Sequence, residues 1–256
     1  MIHARVMFRG PGSRHGLGEG AIFSCSSYDM KIAVTEGLKN VRERIRKAAE
    51  RSGRDPKTVR LVAVTKNFGP ERVQEAVDAG ADLLGENRVQ EALSKMDRVH
   101  GGVSWHMIGH LQKNKVRSVV GRFDLIHSAD SPGLAEEINR RAEKAGLIQK
   151  ILIQVNLSGE TSKHGVDPGE LDGLVDLASG LPHIKVEGLM VIPPLSSDPE
   201  DSRPLFRGLA ERFQGFREAG HDFHELSMGM SNDFEVAVEE GATLVRVGTA
   251  IFGSRE

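Results

Sequence analysis

Eight apolar segments alternate with amphipathic segments along the chain, and the last apolar segment ends near residue 247. The apolar segments have the length and composition of buried strands, and they predict strands at 61–66, 81–85, 103–108, 123–127, 150–157, 186–192, 224–228 and 244–247. Apolar residues at helical spacing predict helices between them, at 71–79, 89–99, 113–120, 133–144, 168–178, 201–219 and 232–239. Pro168 is expected at the first position of its helix. This alternation predicts a parallel sheet with right-handed crossovers.

Eight such units can close on themselves, and 256 residues is close to the usual length of a (β/α)8 barrel. An open doubly wound sheet is the alternative, and two ordinary domains would also fit this length. Open sheets usually have fewer units and a glycine-rich first turn, whereas the first turn here contains Lys66. We therefore predict an α/β fold, a single (β/α)8 TIM barrel over residues 31–256, preceded by a helix at 31–52.

Residues 1–30 differ from the rest of the chain, because glycine, arginine, serine and proline occur there without periodicity. The spacing of Gly16, Gly18 and Gly20 resembles a phosphate loop, but no predicted strand precedes it. No continuous apolar segment of a signal peptide is present either. We predict a flexible N-terminal extension, and a translation start at Met30 stays open as an alternative.

Charge and cysteine content restrict the partners. The net charge is −2 and both signs are mixed, which predicts neither a nucleic-acid nor a membrane partner. The one cysteine, Cys25, excludes an internal disulfide and favours a cytoplasmic location. No segment of the sequence is long and apolar enough to cross a bilayer.

Lys66 directly follows the first predicted strand, at the end of a barrel strand where active sites lie. Apolar residues lead up to it, so its amine should have a lowered pKa, and a neutral amine can attack an aldehyde. Spacing alone favours an ordinary surface lysine just past a strand. The features of the later strands described next shift the balance towards a reactive lysine.

Strands seven and eight end in small and hydroxyl-bearing residues, from Ser227 to Ser231 and at Gly248 and Thr249. TIM barrels commonly bind phosphate at this position, although serine and glycine are also frequent in ordinary loops. Alternation along strand eight points Arg246 into the upper barrel, where its charge needs a partner. That partner is either a ligand or a barrel carboxylate such as Glu86 or Glu187. A reactive lysine, a phosphate cup and an inward arginine together fit pyridoxal 5′-phosphate (PLP).

Seven segments carry a family resemblance: AVTK at 63–66, GENRVQE at 85–91, WHMIGHLQKNK at 105–115, SKHG at 162–165, GLM at 188–190, LSMGMS at 226–231 and VRVGTAIFG at 245–253. Through them, the chain from residue 31 onward resembles the YggS/PROSC family of pyridoxal phosphate homeostasis proteins. The resemblance implies a fold-type III barrel, similar to the N-terminal barrel domain of alanine racemase, which binds PLP.

The resemblance also implies roles for individual residues. Lys66 matches the Schiff-base lysine, Arg246 matches the arginine that faces the pyridine nitrogen, and Asn87 lies beside the cofactor. The phosphate contacts are matched by Ser227, Gly248 and Thr249. The family is implicated in PLP homeostasis without established turnover, so the expected function is that of an intracellular PLP carrier or buffer, with apo-enzymes as recipients.

A PLP-dependent amino-acid racemase and a cofactor-free Schiff-base aldolase stay open as alternatives. A two-base racemase needs an acid or base opposite the lysine, which is a tyrosine in the similar racemases. The chain's single tyrosine is Tyr28, in the predicted extension, and the chain has no room for the β-rich second domain of those racemases. We therefore predict a monomeric carrier rather than an enzyme.

Three further features receive ordinary interpretations. His106 and His110 have a metal-ligand spacing, but they flank the end of a strand, so no metal site is predicted. Glu86 is at least as consistent with an arginine ion pair as with a general base. Lys163, after the fifth strand, either receives an aldehyde or is solvated, and we favour the solvated loop lysine.

Overall fold

The computed structural model describes residues 27–159 and 164–253, with side chains from residue 33 onward. Most of the predicted extension, residues 1–26, lies outside this range, as does Lys163. The first helix begins at Ser27 and so includes the last residues that the sequence assigned to the extension. No helix in the described ranges combines the length and the apolar character that a membrane span requires.

Eight parallel strands close into one barrel, in which the strands follow chain order and β1 pairs with β8. The strands are β1 (Arg60–Val64), β2 (Leu83–Glu86), β3 (Ser104–Met107), β4 (Leu125–Ala129), β5 (Gln149–Val155), β6 (Ile184–Val191), β7 (Glu225–Ser227) and β8 (Leu244–Val247). The pairing of Val62 with Arg246 closes the sheet, which confirms the predicted barrel and excludes the open sheet.

Helices surround the barrel. They are α1 (Ser27–Arg51), α2 (Pro70–Asp78), α3 (Val89–Met96), α4 (Pro132–Ala145), α5 (Leu171–Ser179), α6 (Arg203–Glu218), α7 (Phe234–Glu239) and α8 (Thr249–Phe252), with 3₁₀ turns at Pro56–Thr58, Lys113–Ser118 and Pro199–Ser202. One large core packs the helices against the outside of the barrel. A small apolar cluster fills part of the barrel interior, formed by Val62, Leu83, Leu125, Leu152, Met190 and Leu244.

Two predicted helices were wrong in detail. The segment Lys113–Ser118 is a 3₁₀ helix, because Val116 is its one buried residue and no apolar stripe supports an α-helix. Pro168 does not open α5, which begins at Leu171. The Asp167 carboxylate accepts from the N–H of Gly169 at 2.8 Å and holds Pro168 in a turn before the helix.

Candidate functional site

A cavity of about 420 Å³ opens at the carboxyl ends of the barrel strands. Five of the six predicted site residues line it: Lys66, Asn87, Arg246, Gly248 and Thr249. The barrel therefore brings together side chains from three strand ends that lie up to 183 positions apart in the sequence. The sixth residue, Ser227, does not line this cavity.

Lys66 lies in the turn after β1, and a buried ionic cluster holds the residues on either side of it. Lys95, whose side chain is 3% exposed, donates from Nζ to the carbonyl of Thr65 at 2.7 Å. The Glu91 carboxylate accepts from the N–H of Asn67, which has a positive φ of 67° that few side chains other than asparagine adopt. The position of Lys66 is thus fixed through the backbone of both neighbours.

Glu86 completes this cluster. Its Oε1 accepts from Lys95 Nζ at 2.6 Å and from the Thr65 hydroxyl at 2.6 Å, while Lys95 also reaches Glu91 at 2.7 Å. Burial raises the pKa of Glu86, and the hydrogen bonds from Lys95 and Thr65 oppose that rise. Oε2 of Glu86 has no hydrogen-bond partner among the described residues. The predicted arginine partner of Glu86 was wrong, because the cation is Lys95.

Arg246 is 3% exposed, and uncharged groups accept its hydrogen bonds. Nη1 donates to the Ser227 hydroxyl at 2.5 Å, and Nη2 donates to the Val191 carbonyl at 2.8 Å. Burial lowers the pKa of Arg246 to about 10, so the side chain remains a cation at neutral pH.

The ion-pair alternative for Arg246 was wrong for both of the carboxylates named. Glu86 binds Lys95, and Glu187 lies 3.4 Å from both Lys150 and Lys185. Arg246 therefore presents its charge to the cavity without a direct carboxylate contact among the described residues.

Ser227 begins a chain of buried hydrogen bonds that leads away from Arg246. Its hydroxyl accepts from the guanidinium, which only donates, and is hydrogen-bonded to Nδ1 of His127 at 2.9 Å. Nε2 of His127 is in turn hydrogen-bonded to Nδ1 of His106 at 3.0 Å. Both histidines are neutral in this arrangement, and Ser227 orients Arg246. Its placement does not support the predicted phosphate contact.

The two histidines predict a loss of stability in mild acid. Burial lowers the pKa of His106 to about 3 and holds that of His127 well below its usual range. Unfolded histidines titrate near pH ~6.5, so protons bind the unfolded state first, and stability falls as the pH drops from about 6.5 towards 3. Between pH 7 and pH 5, we expect the titration of His106 to lower the free energy of unfolding by ~2 kcal/mol. His127 should add a further loss.

Urea unfolding at the two pH values measures this loss. His106→Asn keeps a hydrogen-bonding group for His127 and should show a smaller pH dependence, whereas His224→Asn, at an exposed site, should behave as the wild type does. An unchanged pH dependence in His106→Asn would contradict the assignment.

The segment after β7 forms one wall of the cavity. Gly229 has a φ of 89°, and a Cβ there would lie 2.5 Å from the Cβ of Ala237, so this turn requires glycine. Asp233 holds the turn by accepting from the N–H of Met230 at 2.6 Å. Ser231 lines the cavity, and its hydroxyl lies 3.3 Å from the N–H of Gly248. A hydroxyl and backbone N–H groups therefore meet where strands seven and eight end, as anion sites require.

The sequence did not single out Lys95 or the role of Ser231. The spacing of Glu91 and Lys95, four residues apart on α3, was a usable signal for the buried cluster. The second serine of the LSMGMS segment was the corresponding signal for the cavity wall. His106 and His110, whose spacing is that of metal ligands, lie apart, because His106 is 4% exposed and bonded to His127, whereas His110 lies at the cavity rim.

Comparisons with known proteins cover most of the chain. Residues 37–256 match the family model described as alanine racemase, N-terminal domain. The pyridoxal phosphate homeostasis protein of Aquifex aeolicus (strain VF5) is 48% identical over 223 residues, which is 86% of this chain and 98% of that protein. The protein of the same name from Escherichia coli (strain K12) is 40% identical over 229 residues, 87% of this chain and 97% of that protein.

The solved structure of PipY from Synechococcus elongatus PCC7942, with PLP bound, superposes with a TM-score of 0.76. Its sequence is 38% identical, and the match covers 86% of this chain and all of that one. The region that the family model matches, residues 37–256, contains the eight strands and the residues that line the cavity at their carboxyl ends.

Proposed function

Because the chain belongs to the family of pyridoxal phosphate homeostasis proteins, we propose that it binds PLP in the cavity at the carboxyl ends of the barrel strands. The function is that of a carrier or buffer, which holds the cofactor reversibly and releases it. The observation that carries this proposal is the meeting of Lys66, Arg246 and the strand seven and eight termini in one cavity.

The residues present fit the chemical groups of PLP. The cofactor supplies an aldehyde that condenses with an amine and an aromatic ring that can withdraw electrons. Lys66 is the amine for the aldehyde, and the buried cluster around Lys95 holds it at the cavity wall. With PLP bound, Arg246 would face the ring nitrogen, Asn87 would lie beside the ring, and the end of strand eight at Gly248 and Thr249 would meet the phosphate; all four residues line the cavity.

The two serines of the LSMGMS segment have different roles in this proposal. Ser231 lines the cavity and supplies a hydroxyl to the phosphate, whereas Ser227 is fully buried and orients Arg246. We therefore expect PLP to bind more tightly than pyridoxal, since charge-assisted hydrogen bonds each contribute ~1.5–3 kcal/mol.

Titration of the cofactor-free protein measures this difference. PLP should bind at least tenfold more tightly than pyridoxal, and Ser231→Ala should weaken PLP binding while leaving pyridoxal binding unchanged. Equal affinities for the two compounds would show that strands seven and eight form no phosphate site.

The cavity argues against catalytic turnover. Arg246 remains protonated and donates, so it would leave the nitrogen of a bound pyridine ring without a proton, and that ring would be a weak electron sink. Among the described residues that line the cavity there is no tyrosine to act as a second acid or base. We therefore propose that the protein is not an enzyme, and the racemase alternative is not favoured by its residues.

Amino-acid turnover tests this proposal. Pure protein loaded with PLP, incubated with single L- or D-amino acids, should yield no more racemised or transaminated product than one equivalent per chain. Sustained multiple turnover by protein free of contaminating enzymes would refute the carrier function.

The proposal also includes transfer of PLP from this protein to other proteins. Apo-enzymes that need PLP are the expected partners, a monomer is the expected state, and the single cysteine supports a cytoplasmic location. Mixing the loaded protein with an apo-enzyme should activate that enzyme faster than PLP dissociation into a scavenging solution does.

A further inference from the structure

Three potential metal ligands converge at the rim of the barrel. His110 follows β3, Asp130 follows β4, and His164 follows β5, so each comes from the carboxyl end of a neighbouring strand. Their ligand atoms all lie within 4.8 Å of one another. Barrel topology alone brings these residues together, because they span 54 positions of the sequence.

The distances suit a small cation. Nδ1 of His110 lies 3.5 Å from Oδ2 of Asp130. Two ligands on a tetrahedral zinc ion, each at ~2.1 Å, are about 3.4 Å apart, so this pair is already close to coordination geometry. The rings of His110 and His164 are stacked at 3.7 Å between centroids, with 8° between their planes. Exposed side chains change rotamer within nanoseconds, so both rings are free to turn a nitrogen towards one ion.

Among the described residues, the three ligand side chains have no competing hydrogen-bond partner. No described residue makes a hydrogen bond to the rings of His110 and His164 or to the carboxylate of Asp130, and the contacts among the three are their only side-chain interactions there. The side chain of Asp130 is 14% exposed. This partly exposed carboxylate, beside the imidazole of His110, is therefore available as a ligand to a cation.

We propose that His110, Asp130 and His164 form a binding site for a divalent transition metal of the zinc class. Two imidazoles and one carboxylate select such ions over magnesium and calcium, which prefer oxygen ligands alone. Three protein ligands leave a coordination position open for water or for an anionic group of a molecule in the adjacent cavity, since His110 also lines that cavity. This site rests on its own three residues and does not depend on PLP binding.

Zinc titration of the full, tag-free chain tests the proposal. The protein carries Cys25→Ser, which removes its one thiol as a competing ligand. Competition with a chromophoric chelator should give one zinc ion per chain, with a dissociation constant in the micromolar range or below. His110→Ala, His164→Ala and Asp130→Asn should each weaken binding at least tenfold.

Matched controls make each outcome decisive. His224→Ala removes another exposed histidine, which lies 2.8 Å from Asp222, and should leave zinc binding unchanged. Circular dichroism and a thermal midpoint check that every variant is folded. Absence of stoichiometric zinc binding would overturn the proposal, as would binding that survives both His110→Ala and His164→Ala or that disappears in His224→Ala.

Discussion

Lys66→Ala is expected to abolish the covalent attachment of PLP and the visible absorbance that accompanies it, while the protein still binds PLP non-covalently. Alanine has no amine to condense with the aldehyde, so attachment falls below detection. The phosphate donors lie on the β7 and β8 termini and are untouched, so binding should be weaker but measurable. The fold should survive, because Lys95 and Glu91 hold Thr65 and Asn67 through groups that the substitution leaves in place.

Absorbance, equilibrium dialysis and thermal unfolding of the same preparations separate these effects. Lys144→Ala provides a control at an exposed lysine outside the cavity, and it should retain the wild-type absorbance. A Lys66→Ala protein that keeps its colour would point to another lysine, with Lys163 as the first to examine.

Lys95→Met is expected to cause the largest loss of stability of any single lysine substitution proposed. The Lys95 ammonium is buried and donates to Thr65, Glu86 and Glu91, and methionine leaves two carboxylates without their cation. Removing one partner of a buried ion pair costs about 3–5 kcal/mol, because the remaining charge stays buried. Lys47→Met, at a lysine with 59% side-chain exposure in an ion pair with Glu43, should cost less than about 1 kcal/mol.

Urea unfolding measures both substitutions. The combination of Lys95→Met with Glu86→Gln should recover part of the lost stability, because it removes one of the stranded charges. If Lys95→Met lowered the free energy of unfolding no more than Lys47→Met does, the cluster would have no energetic importance. Where Lys95→Met remains folded, its slower condensation with PLP would show that the cluster also positions Lys66.

Residue patterns in the sequence were sufficient for the barrel. Strands such as Gln149–Val155 are largely buried around a short apolar run, here at 151–153, and glycines or prolines separate several strands from the helices. The bounds of β8, Leu244–Val247, were predicted without error. The helix α8 was missed because its four residues are too few for a periodic pattern.

Site residues were harder to predict, because strand alternation gives the face of a side chain but not its neighbours. Arg246 was correctly placed inside the barrel, yet its partner was Ser227 rather than a carboxylate. Since β7 ends at Ser227, the hydroxyl that reaches the cavity is that of Ser231, four residues later. Lys95 lies on a helix that reads as ordinary, and only the folded barrel shows that its amine is buried beside Thr65.

The direct test of the central claim is borohydride reduction of the wild-type protein loaded with PLP, followed by peptide mass spectrometry. Reduction makes the bond between the cofactor and its lysine permanent, so the modified residue can be read from the fragments. We expect one phosphopyridoxyl group per chain, on the peptide that contains Lys66. A modification found on any other lysine, with Lys66 unmodified, would contradict the assignment of this cavity as the PLP site.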